Sequence, residues 1–288
     1  MWHGAYVSVI EVHELRKSYG DNRAVDGINL SITQGEIFAL LGPNGAGKTT
    51  TVEILEGFRD RDSGDVKVLG HDPAAKDSSA RTWRDRIGIV LQATSDAGDL
   101  RVHECISHFS RYYSRPRNIE EVINAVGLTE KSSELIRNLS GGQRRRLDVA
   151  LGIIGSPELL FLDEPTTGFD PEARRAFWEL IRTLQSDGTT ILLTTHYLDE
   201  AEALADRVAV INHGKIIEIA TPQQLGGRAT SLTKIQWLDN GEIRSVESNE
   251  PTAVVRDLTS KFPGEIPGLT ISRPTLEDIY LDMIGDQQ

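Results

Sequence analysis

The chain is poor in cysteine, in positive charge and in long apolar runs, and each scarcity excludes something. Its single cysteine, Cys105, has no partner within the chain, so no intrachain disulfide braces the fold. A lone thiol of this kind suits a reducing compartment and reads as a buried or idle side chain, not as a nucleophile. Only 31 lysines and arginines face 43 aspartates and glutamates, giving a formal charge of −12. That deficit excludes functions driven by counterion release from nucleic acid and disfavours adhesion to anionic lipid. The three arginines at 144–146 fan out around a helix instead of forming one face, and are expected to be solvated and salt-bridged. No apolar run approaches the roughly 18 residues of a membrane span. The opening MWHGAYVSVI lacks the charged start and long apolar centre of a signal peptide, which predicts a cytoplasmic protein. Internal repeats and low-complexity tracts are absent too.

What is present reads as a soluble globular chain of one or two units, 39% apolar and 26% charged over 288 residues. Short β-like runs (YVSVIEV, GINLSI) precede GEIFALLG, a buried strand entering a Gly-rich loop, with a helix expected from Gly47 to about Gly57. GDVKVLG and IGIVLQ are further strands. From about residue 93 to 152 apolar positions recur at helical spacing, which predicts an inserted helical subdomain. Strands then alternate with helices: ELLFLDEP, a helix from Pro171 to about Gln185, TTILLTTH, a second helix, and RVAVINHGKIIEIA. This alternation predicts an α/β fold with a largely parallel sheet covered on both faces, behind an antiparallel N-terminal β portion. Beyond a linker near GGRAT, two strands around Asp239-Asn240-Gly241 and helices near 252–262 and from Thr275 predict a small C-terminal α+β appendage. The expected domains are 7–222 and 228–288.

Two stretches carry chemistry on their own. GPNGAGKTT satisfies G-x-x-x-x-G-K-[ST] after a strand and before a helix. In Gly42, Pro43, Asn44, Gly45, Ala46, Gly47, Lys48, Thr49 and Thr50 the glycines let backbone N–H groups close around phosphates. Lys48 reaches the β/γ oxygens, and Thr49 offers its hydroxyl to Mg²⁺. LLFLDEP sets two carboxylates at the end of an apolar strand: Asp163 to hold Mg²⁺ through water, Glu164 to orient the water that attacks the γ-phosphate. A third, LSGGQRRRLDVALG, opens with a Ser and two Gly shaped like an anion-receiving helix N-terminus, although the chain already has a phosphate cradle.

Over about residues 7–220 the sequence resembles the nucleotide-binding subunit of an ATP-binding cassette (ABC) transporter. LSGGQ, residues 139–143, is similar to that family's signature and falls in the helical insertion. The resemblance implies that Tyr19 stacks on adenine, and that Gln92 meets Mg²⁺ and links the core to the helical unit. It further implies that Asp170 in TTGFDP is the D-loop carboxylate and His196 in TTHYLDEAE the switch histidine that contacts the γ-phosphate. Phe169 stands where the family commonly has Leu, which keeps an apolar contact. His103, His108 and His213 belong to no motif and are read as structural.

The resemblance implies a P-loop ATPase that hydrolyses ATP with Mg²⁺ in a head-to-tail homodimer. Ser140, Gly141, Gly142 and Gln143 of one copy would then close over ATP held by Lys48 of the other. It also implies a separate transmembrane permease, met in part through the stretch ATSDAGDLRVHE, and hence a location on the cytoplasmic face of the plasma membrane. The tail SRPTLEDIYLDMIG resembles that of bacterial drug and antibiotic exporters of the daunorubicin-resistance type, placing exporters ahead of importers and of non-transport ABC ATPases. Its apolar stripe, Leu276, Ile279, Tyr280 and Met283, is expected to pack on its own core or on its twin. A GTPase is excluded by the lack of N-K-x-D, and a non-hydrolytic binding module by Glu164 and His196.

Overall fold

The computed structural model describes residues 7–90, 98–262 and 264–285. It separates into two compact units, the first ending at Ile219 and the second starting at Ala220.

The first unit opens on β1 (Ser8–Tyr19) and β2 (Asn22–Thr33), an antiparallel pair with Ile10 opposite Ile32 and Val12 opposite Leu30. These residues are buried while Glu11 and His13 point away, the period-two pattern of a sheet with one covered face. The sequence suggested only short runs here, because the bulge at Glu14, with φ of 50°, interrupts the alternation. Next come β3 (Ile37–Leu41), α1 (Lys48–Leu55), β4 (Ser63–Val68), α2 (Ser79–Arg84) and β5 (Ile87–Val90). β4 joins the other edge of β1 and completes a three-stranded sheet.

The helical insertion follows as α3 (Val102–Ser110), α4 (Ile119–Ala125) and α5 (Gly141–Ile153). The core resumes with β6 (Leu159–Asp163), α6 (Pro171–Ser186), β7 (Thr190–Thr195), α7 (Leu198–Leu204), β8 (Arg207–Asn212) and β9 (Lys215–Ala220). The six-stranded sheet runs in the order β5-β6-β7-β3-β8-β9, and its first five strands are parallel. β3 is central and every residue of it is buried, which explains its unbroken apolar run. The carboxyl ends of β3, β6 and β7 lie side by side, with Leu41 paired to Thr195 and Asp163 to Thr194. The loops that follow these three strands therefore share one edge, where open α/β sheets hold their ligands.

In the second unit β10 (Thr233–Asp239) and β11 (Glu242–Ser248) form a hairpin whose turn residues Asn240 and Gly241 both have positive φ. After α8 (Pro251–Lys261) comes β12 (Thr270–Ser272), on the other edge of β10, and then α9 (Leu276–Gly285). Ile235, Leu258 and Ile266 form the small core. Leu276 and Ile279 of α9 are buried, and Ile279 packs so closely on Gly226 that a Cβ there would lie 2.4 Å from its Cγ2. The apolar stripe thus packs at least partly within its own unit.

Candidate active site

Helix α1 begins without the usual cap. Its N-cap is Gly47, no side chain bonds its first-turn amides, and the first turn holds no acid. The amides of Lys48, Thr49 and Thr50 therefore point outward as donors, a geometry that fits an anion. Gly47 has φ of 106°, and a Cβ on it would sit 2.2 Å from the Ala24 carbonyl oxygen of β2. Only glycine allows this turn to press against β2.

Lys48 is 5% exposed, and its Nζ donates to the carbonyls of Gly42 (2.8 Å) and Pro43 (3.2 Å). Burial pulls its pKa down, while the charges of Glu164 and Asp163 push it back up. The Oε1 of Glu164 stands 3.7 Å from Lys48 Nζ and 3.2 Å from His196 Nδ1, so cation, carboxylate and imidazole converge on one oxygen. Glu164 has φ of 43°, uncommon for a residue with a side chain, and its N–H is held by the Thr194 hydroxyl at 3.0 Å. The same hydroxyl donates to Asp163 Oδ1, which fixes the Asp163 carboxylate and the Glu164 backbone to β7.

The sequence-expected residues among those described fall in four places. Gly42 to Gly47 form the loop after β3 and Lys48, Thr49 and Thr50 the first turn of α1, while Asp163 ends β6 and Glu164 and His196 directly follow β6 and β7. Tyr19, at the end of β1, is 42% exposed, with the Arg59 guanidinium 5.3 Å from its ring centre and Lys17 Nζ at 5.7 Å. Asp170 caps α6, its Oδ1 accepting from the Ala173 N–H at 2.8 Å, and Phe169 beside it packs edge-on against buried Phe177. Ser140 caps α5 in a reciprocal box with Gln143, at 3.3 and 3.0 Å. Gly141 faces open space, and Gly142 is next to Ala173. Gln92 and residues 93–97 lie outside the described residues.

One expectation is corrected. Arg145 is not solvated: it is 7% exposed and donates to the backbone carbonyls of Asp163 (2.9 Å) and Pro165 (3.0 Å), tying α5 to the end of β6. The helical period carried the signal, because 145, 148, 149 and 152 fall on one buried face of α5. Sequence reasoning also missed Glu56, a 6% exposed carboxyl at the end of α1. Burial, then the charges of Asp163 and Glu53, push its pKa up to about 8.

A glycine-lined anion cradle at the carboxyl edge of a parallel sheet, faced by a buried lysine and two carboxylates, defines a nucleotide-hydrolysing P-loop protein. Residues 25–167 match the ABC transporter family model. The chain is 44% identical to the daunorubicin/doxorubicin resistance ATP-binding protein of Streptomyces peucetius, over 96% of this chain and 92% of that one. It is 38% identical to the Nod factor export ATP-binding protein I of Sinorhizobium fredii, over 96% and 86%. Among solved structures, the dimeric post-hydrolysis state of an ATP-binding cassette bound to ADP and phosphate shares the fold, with a TM-score of 0.66 at 22% identity over 74% and 98%. The chain belongs to the ABC transporter family, as an ATP-binding, ATP-hydrolysing subunit. Among the described residues no helix is long and apolar enough to cross a membrane.

Proposed function

We propose that the subunit closes head to tail with a second copy over two ATP molecules and drives a separate membrane permease as an exporter. The convergence of Lys48 and His196 on Glu164 Oε1 carries the hydrolytic half of this reading. When ATP binds, Lys48 exchanges the Gly42 and Pro43 carbonyls for the β/γ oxygens, and the first-turn amides of α1 donate to the phosphates. Glu164 is then released from Lys48 to hold the attacking water. It accepts the water's proton as the oxygen bonds to the γ-phosphorus and the bond to the bridging oxygen of ADP breaks. His196 donates to the γ-phosphate, and Tyr19 offers its ring face to adenine. The Thr49 hydroxyl and the Asp163 carboxylate, with Gln92, are oxygen donors suited to Mg²⁺, which would neutralise charge between the phosphates.

The outward-facing Ser140 and Gly141 support a trans role, since the P-loop already encloses its own phosphates. The dimeric cassette of like fold supports the pairing. Export is supported by the names of the drug-resistance and Nod factor relatives. On this reading the subunit works at the cytoplasmic face of the membrane, held there by its permease, and 220–288 is an accessory domain.

Mixed dimers test the composite site. Lys48→Ala and Gly141→Asp are each expected to be nearly inactive alone. Mixed, they rebuild one complete site from the intact P-loop of one chain and the intact signature of the other, and ATP hydrolysis returns. A chain carrying both changes, paired with an unmodified chain, rebuilds none; recovery only in that pairing would overturn the reading.

A further inference from the structure

A buried polar cluster lies beneath His196 and is not used by the hydrolytic geometry. Glu200 stands in the first turn of α7, four residues after His196, and is 0% exposed. Both its carboxylate oxygens are sealed from solvent without a hydrogen bond of ordinary length, and so are the Thr166 hydroxyl and the Trp178 indole nitrogen. These groups are set against one another: the hydroxyls of Thr195 and Thr166 and the N–H of Trp178 face the carboxylate, with the charge of Arg174 close by. Burial pushes the Glu200 carboxyl up, and the three donors and the arginine act against it. An apolar side chain of the same size would fill this space without a desolvation penalty. What the carboxylate adds is a buried negative charge faced by groups that belong to different segments.

Those segments are the ones that carry the site. Thr195 ends β7 and directly precedes His196. Thr166 opens the loop that ends at Asp170, and Arg174 and Trp178 lie on α6, which Asp170 caps. A second connection runs in parallel: Arg174 pairs with Asp199 at 2.7 Å and lies 4.8 Å from the centre of the Tyr197 ring, which packs 4.1 Å from the His196 ring. On a further side, the charge of Arg145 on α5 also acts on Glu200. We propose that Glu200 is a positioning residue that fixes the His196 segment and the 166–170 loop to one another, so that the switch histidine and the Asp170 loop move as one body. The inference rests on the roles given above to His196 and Asp170.

The test uses the full chain with Mg-ATP and three variants. Glu200→Gln keeps the volume and removes the charge. It is expected to lower kcat at least tenfold with the KM for ATP within twofold and the Tm no lower than that of the unmodified chain. Thr166→Val removes the loop hydroxyl with no change of charge. It is expected to move the His196 ring signal in histidine-selective NMR, assigned with His196→Gln. A kcat for Glu200→Gln within twofold of the unmodified chain, a parallel loss of Tm and kcat, or a His196 signal unmoved by Thr166→Val would each overturn the proposal. Lys48→Ala separates the two readings: if it too leaves hydrolysis intact, the site assignment itself fails.

Discussion

Gly47 sets the sharpest test of the phosphate cradle, because its neighbour Gly45 supplies an internal control. Both glycines have positive φ, 106° and 80°, so alanine at either meets backbone strain of about 1–2 kcal/mol. Their surroundings differ. A Cβ at Gly45 meets nothing within 4 Å, whereas one at Gly47 lands 2.2 Å from the Ala24 carbonyl oxygen and 3.5 Å from Gly214 Cα. Relieving that overlap requires a displacement of roughly 1 Å in the loop or in β2, and overpacking of this kind adds about 1–3 kcal/mol. Gly47→Ala should therefore lose about 2–5 kcal/mol and Gly45→Ala about 1–2. At about 2–4 °C per kcal/mol, the two melting temperatures separate by several degrees. A loop moved by about 1 Å also misaims the amides, and a misplacement of that size costs on the order of a hundredfold in function. Urea unfolding and fluorescent-ATP titration of both variants measure the two effects. Equal losses in the two, or an unaltered ATP affinity in Gly47→Ala, would refute the close approach as the reason for glycine.

Glu164→Gln should bind ATP, hydrolyse it very slowly and accumulate as a dimer; a monomer on size exclusion with and without ATP counts against the closed sandwich. Residues 7–219 contain every site residue, so a chain ending near Ala220 should keep its ATP affinity, and failure to bind would show that the second unit completes the site. Glu56 gives a pH dependence. Its folded pKa of about 8 lies above the usual carboxylate value, so the native state holds the proton more tightly. Its contribution is full below about pH 4.5 and is lost at up to about 1.4 kcal/mol per unit as pH rises toward 8. Glu56→Gln should therefore gain urea resistance over the unmodified chain at pH 8 and not at pH 4.5, and a constant difference across that window would contradict the burial argument.

The parts legible in the sequence were those where one residue type is forced locally. Gly47 must be glycine, β3 must be apolar throughout, and Asn240-Gly241 must accept positive φ, so P-loop, central strand and hairpin could all be located. β12 was not visible, because its three residues are all exposed and carry no alternation. α2 was missed for a similar reason, having six residues with only Ala80 and Trp83 buried. Glu200 was hidden differently: three acids, Asp199, Glu200 and Glu202, lie within four residues, and nothing local marks the one that turns inward. Its burial depends on Thr166, Arg174 and Trp178, which are distant in sequence. Arg145 shows the limit of composition, since a run of like charges suggested solvent exposure while the helix period placed one member against the Asp163 and Pro165 carbonyls.

The two helix N-termini that look alike in sequence differ in how their amides are satisfied, and the difference yields a last prediction. α1 starts at an uncapped glycine and leaves its amides to a ligand. α5 starts at Ser140, whose hydroxyl accepts the Gln143 N–H while the Gln143 side chain accepts the Ser140 N–H, so the signature is already stable without phosphate. Ser140 thus has two separable duties: capping its own helix and, on the reading above, donating to ATP held by a partner. Ser140→Ala removes both, and should lower stability by about 1 kcal/mol, a drop of about 2–4 °C in Tm, together with hydrolysis. Ser140→Asp keeps a good cap but sets a carboxylate, with no donor to offer, toward the partner's phosphates. Its Tm should match the unmodified chain within a degree or two, its monomer should bind ATP normally, and its hydrolysis should be lost. An active Ser140→Asp would leave the cap as the only duty of Ser140, and the signature would then need another way to meet the partner's nucleotide.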